Sequence, residues 1–136
     1  MNKRNTYLLI AGILNLATAM IHLFAGQIDL IHPLMESELD IQIRTELLGA
    51  WHIVSVVLLG SSYMLIRQGL GSLQNQLLSK TIAWAYILFS IVFILSSLYT
   101  HTFAPQWILL LPIGILVLLG VKHGDGKKPF QSFLQF

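Results

Sequence analysis

The chain alternates between long apolar runs and short polar connections, and that rhythm predicts its elements. Four runs stand out, at about Tyr7 to Gly26, Leu47 to Ile66, Thr81 to Thr100 and Pro105 to Val121. Three are about 20 residues long, and a helix of that length rises about 30 Å, the thickness of a bilayer's hydrocarbon core. The last, at about 17 residues, just spans or sits in slightly thinned lipid. None contains Lys, Arg, Asp or Glu. In lipid an open chain satisfies every backbone group only as a helix, so each run is expected to be one. The fold expected is all-α: an integral membrane four-helix bundle, a single transmembrane domain over residues 1–136.

The connections carry the charge, and they sort it by sign. Lys3 and Arg4 precede the first run, Arg67 and Lys80 flank the second connection, and Lys122, Lys127 and Lys128 follow the fourth run. Only Arg44 falls on the other side, together with Asp29, Glu36, Glu38, Asp40 and Glu46. Basic residues stay in the cytoplasm, which puts both termini there and the acidic Gln27–Glu46 loop outside. Three or five spans would spoil this alternation. Within the loop, His32-Pro33 and the following mix of apolar and acidic residues predict a short amphipathic helix over about 33–43, lying on the outer surface. The aromatic tail from Phe130 to Phe136, with Lys127 and Lys128, suits the inner membrane interface. Asn2-Lys3-Arg4 followed by Ala17-Thr18-Ala19 resembles a secretory signal. The apolar run continues past it through Phe24, so the segment is expected to remain as a span.

Composition agrees. Hydrophobic residues make up 55% of the 136 and charged residues 10%, against a usual charged share of about 25%. The mean hydropathy is +0.73. A soluble chain this short could not hide so many apolar side chains. The basic residues form no stripe for nucleic acid. The absence of cysteine excludes disulfides, iron–sulfur clusters, thiolate zinc sites and cysteine nucleophiles. The bacterial inner membrane is the expected location, with the lipid bilayer as the immediate partner.

Polar residues inside spans are costly unless they face protein or water, so they mark the candidate chemistry. Asn15, Thr18 and His22 share one face of the first helix, with small residues beside them. His52 and Ser55, with Ser62, share a face of the second. Ser90, Ser97 and His101 share a face of the third. His22, His52 and His101 fall in the outer half, level with Gln27, Asp29, His32, Glu46 and Gln106. Two readings stand. In one, each histidine is an interhelical hydrogen-bond donor. In the other, His22, His52 and His101 bind a transition metal, zinc or copper, supported by Asn15, Thr18, Gln27, Asp29, Glu46, Ser55 and Gln106. Haem b fits less well, since Arg44 alone could serve its propionates. Trp51, Trp107, Tyr7 and Tyr99, and Trp84 with Tyr86, fit the aromatic belts at span ends. Phosphate loops, serine-hydrolase elbows and zincin motifs are absent, and no span holds a carboxylate of the kind that drives proton-coupled transport.

The pattern Ala19-x-x-His22 with Gly26, Pro33-Leu34, Arg44, Trp51-His52-x-x-Ser55 and Pro105-Gln106-Trp107 resembles small bacterial four-helix inner-membrane proteins without an established activity. The resemblance implies the fold and no chemistry. Three functions therefore stay open: a histidine-centred site for a metal or small polar ligand; a noncatalytic interaction or assembly subunit, as homo-oligomer or with a membrane-protein partner; and an oligomeric transporter or channel.

Overall fold

The computed structural model describes residues 4–73 and 75–125, with side chains through His123. Lys3, Lys127, Lys128 and the tail from Phe130 to Phe136 lie outside the described residues. The elements are helices: α1 (Thr6–Gly26), a π-helical turn (Gln27–Ile31), α2 (His32–Glu36), α3 (Ile41–Gly69), α4 (Gln76–Thr100) and α5 (Gln106–Asp125). Four helical columns are long and apolar enough to cross a membrane.

Their starts follow capping chemistry. The Asn5, Asp40 and Asn75 side chains accept hydrogen bonds from the backbone N–H groups of Leu8, Gln42 and Leu78, satisfying donors that a helix start leaves orphaned. The α3–α4 turn passes through Gly71 at φ 79°, and α4 ends on His101 at φ 53°. Glycine takes the left-handed region at little cost, and histidine only in a turn that holds it there. Beyond His101, the Ala104 N–H donates to the Ser97 hydroxyl at 3.0 Å and fixes the tight connection to α5.

The first column differs from expectation. It does not stop at Gly26. The π-turn carries it into α2, so Thr6–Glu36 is one column of 31 residues. The expected surface helix over 33–43 is interrupted by the non-helical Ser37–Asp40 stretch. There the Ser37 hydroxyl bonds the Leu34 carbonyl at 2.7 Å, and Asp40 starts α3. Ser37 and Asp40 favour such local bonds over helix continuation.

Packing places α1 between α3 and α5, with α4 on the far side of α5. The α3 and α4 helices, though adjacent in sequence, share no comparably extensive backbone approach. The core comprises Leu8, Ala11, Ala19, Leu58, Leu65, Ile82, Ala83, Tyr86, Leu110, Ile113 and Val117. Glycine permits the α1–α3 contact. A Cβ on Gly12 would stand 2.8 Å from the Ile66 backbone nitrogen, and one on Gly69 would stand 2.5 Å from that of Leu9. Backbones meet this closely only through small residues. One residue ties three helices at this end. The Asn5 N–H donates to the Gly69 carbonyl at 2.8 Å, and its side-chain Nδ2 donates to the Gly120 carbonyl at 2.8 Å. The start of α1, the end of α3 and the last turns of α5 therefore lie at one end of the bundle.

Candidate functional site

The deepest polar group is Asn15, fully buried on α1. Its amide has two donors and one acceptor to satisfy, and leaving any of them unpaired in an apolar interior costs about 1–3 kcal/mol. All three find partners on other helices. Nδ2 donates to the Ser61 hydroxyl of α3 at 2.8 Å and to the Leu58 carbonyl at 3.3 Å, and Oδ1 accepts from the Tyr86 hydroxyl of α4 at 2.7 Å. The Ser61 and Tyr86 hydroxyls stand 2.8 Å apart.

Counting protons orders this cluster. Tyr86 spends its one hydrogen on Asn15. The Ser61 hydrogen can then go to Tyr86, closing a ring in which amide, serine and tyrosine each donate to the next. It can also go to its own helix, where the Val57 carbonyl lies 2.6 Å away. Rings of this kind polarise one another and strengthen in a low dielectric. The ring joins α1, α3 and α4 and supplies a contact where α3 and α4 otherwise pack little.

The other expected residues are placed as follows. Thr18 is buried and donates to the Leu14 carbonyl of its own helix at 2.9 Å. Ser55 is buried and donates to the Trp51 carbonyl at 3.1 Å. Both spend their hydroxyls one turn back. His22 is half-buried, with its ring stacked on Trp51 at a centroid distance of 3.6 Å and 17° between planes. Its Nε2 lies 3.3 Å from the Trp51 carbonyl. A carbonyl only accepts, so Nε2 carries the hydrogen and Nδ1 holds the free lone pair. Gly26 makes room: a Cβ there would run into the Trp51 ring.

His52 is exposed. His101 is exposed at the end of α4. Gln27, Asp29 and Gln106 are exposed, and Glu46 accepts a bond from Gln42 at 2.9 Å. Among the described residues no three His, Asp or Glu side chains are grouped so that they could hold a metal ion. The structure thus brings Asn15 together with Ser61 and Tyr86, and His22 with Trp51, but does not gather His22, His52 and His101 into one group.

Tyr86 and Ser61 are the members that sequence reasoning missed. Tyr86 is 1% exposed, not part of a belt. The signal was present: Ser79, Ala83, Tyr86 and Ser90 follow helical spacing and present small and hydroxylated residues on one face.

The His22 contact gives a direct test of the hydrogen-bond reading. His22→Phe keeps an aromatic ring on Trp51 and removes only the bond to a carbonyl that Ser55 already serves. The expected loss in detergent unfolding is about 1 kcal/mol or less. A loss as large as that of a core truncation would mean His22 holds more than this bond.

No family model, curated protein or solved structure matches the chain.

Proposed function

We propose that the chain is a noncatalytic assembly subunit of a membrane complex, a multi-pass protein of the bacterial inner membrane with both termini in the cytoplasm. One observation carries this reading: apart from the Gln68 Nε2, the buried polar side chains of the described spans have protein hydrogen-bond partners. Asn15, Ser61 and Tyr86 satisfy one another, and Thr18, Ser55, Ser62 and Ser90 return to their own helices. A reaction site or a transport path needs polar groups held ready for a ligand. Here the Asn15–Ser61–Tyr86 ring holds three helices together. The orientation rests on charge. Among the described residues, Arg4, Arg67, Lys80 and Lys122 lie toward the end tied by Asn5, while Arg44 stands at the other among five acidic residues.

The test is the chain purified from its native membrane in mild detergent. Expected are a colourless, metal-free protein and a native-gel band larger than the detergent-bound monomer, containing a second chain in fixed ratio. A Soret band overturns the proposal in favour of haem. Stoichiometric zinc or copper, lost in His22→Ala and His52→Ala, overturns it in favour of the histidine site. A monomer alone in gentle extracts also overturns it.

A further inference from the structure

The end of the bundle opposite Asn5 is uneven. Asn5 fixes α1, Gly69 and Gly120 at a common level, so helix lengths can be measured from there. At about 1.5 Å per residue, α1 with its π-turn and α2 rises roughly 46 Å to Glu36, and α3 rises roughly 42 Å from Gly69 back to Ile41. By the same measure α5 rises only about 21 Å from Gly120 to Gln106. The Ser79–Gln68 hydrogen bond sets α4 level with α3, and from Ser79 to Thr100 it rises about 32 Å. The outer ends of the first column and of α3, joined through Ser37–Asp40 and by the Arg44–Met35 hydrogen bond, therefore extend about 10 Å or more past α4 and α5. They form a helical hairpin standing beyond a hydrocarbon core of about 30 Å.

That hairpin is both apolar and acidic on its surface. Ile28 is 71% exposed and Ile41 61%, with Leu30, Leu39 and Ile43 also exposed. Asp29, Glu36, Glu38, Asp40 and Glu46 are exposed among them. Arg44 does not answer this charge. It is half-buried, and its Nη1 donates to the Met35 carbonyl at 2.7 Å. Among the described residues the only carboxylate contact with a basic side chain within 4 Å is His32–Glu36 at 3.6 Å, an ion pair only when the imidazole is protonated.

We propose that this hairpin is a docking surface for a basic, amphipathic segment of a partner protein outside the hydrocarbon core. The proposal rests on the assembly reading and names its partner's chemistry. Charge selects the occupant. A second copy would bring five more carboxylates and one more arginine against the first, and like charges facing each other repel. Anionic lipid headgroups are repelled in the same way. A lysine- or arginine-rich segment with apolar residues between its charges meets both features, with apolar contact for affinity and charge for steering.

The test places a photo-crosslinking amino acid at Ile28 or Ile41 of the full-length chain in native membranes. Expected is one discrete adduct with a second protein, whose crosslinked peptide is rich in Lys and Arg. Its yield should fall at least fivefold in Glu36→Lys/Glu38→Lys/Asp40→Lys. In the unaltered hairpin it should fall similarly at about 1 M salt, where charges are screened beyond roughly 3 Å. Adducts only with lipid or with the chain itself, no adduct, or a yield indifferent to both charge reversal and salt overturn the docking surface. The native-gel complex separates the two proposals. If it persists while the hairpin fails these tests, the surface is wrong and assembly stands. If the chain migrates alone, assembly itself is wrong.

Discussion

Replacing Asn15 by leucine is expected to be the most damaging polar substitution in the chain. Leucine is close in size, so the cavity term is small, and the effect comes from the groups left behind. Tyr86 loses its acceptor, and Ser61 and the Leu58 carbonyl lose a donor. Interhelical bonds in membranes are worth about 0.6–2 kcal/mol each, and the two short ones broken here set an expected loss of about 1–4 kcal/mol. Tyr86→Phe removes one hydroxyl and should cost about 1–2 kcal/mol. The informative measurement is the double variant in a detergent or lipid-bicelle unfolding titration. If the three side chains form one ring, the second substitution adds little once the first has opened it, and the coupling reaches about 0.5–3 kcal/mol. Additive losses would mean that Asn15 and Tyr86 act separately. An Asn15→Leu chain as stable as the parent would remove the ring from the account of what holds α4.

Much of this arrangement was legible in the pattern of residues, for physical reasons. A carboxylate or ammonium in hydrocarbon is so unfavourable that charge-free runs announce helices, and each of the four runs lies within a long apolar helix, though the first column runs on to Glu36 and α3 starts at Ile41. The Asn15–Thr18–His22 stripe was legible for a related reason: a buried amide demands protein around it, and Asn15 is fully buried. What misled was depth. With the third span taken to start at Thr81, Tyr86 seemed close to the interface, where tyrosine is ordinary. The helix starts at Gln76, capped by Asn75, so Tyr86 lies a further turn inside and its hydroxyl must find a partner. The outer loop misled through composition. Gln27, Asp29 and His32 read as a connection, yet no glycine or proline in them forces a helix to stop, and Pro33, which has no N–H to donate, follows directly on the π-turn that carries the column past Gly26. Convergence of three histidines is a tertiary property that helical spacing cannot supply. Spacing fixes a face, and the neighbours of that face decide whether it meets protein or the surroundings.

Gly69→Ala is expected to disrupt the bundle where Gly60→Ala does not, and the pair isolates the role of close approach. Both positions lie on α3, and alanine gains about 1 kcal/mol over glycine in a helix interior. At Gly60 nothing lies within 4 Å of an added Cβ, so that gain stands and the variant is neutral or slightly more stable. At Gly69 the new Cβ meets the Leu9 backbone nitrogen at 2.5 Å and its Cα at 2.6 Å. A rotamer change cannot relieve a backbone collision, so α1 and α3 must separate or slide. Either motion strains the Asn5 hydrogen bond to the Gly69 carbonyl, 2.8 Å long, and the nearby Gly12–Ile66 contact. Overpacking of this kind costs about 1–3 kcal/mol. Breaking the Asn5 bond would add to it, so the net loss at Gly69 should exceed that at Gly60 by about 2 kcal/mol or more. Thermal unfolding of the two variants in the same detergent reads the difference directly. Equal midpoints would show that α1 and α3 have slack at this end, and that the close backbone approach is not what fixes the level from which the outer hairpin projects.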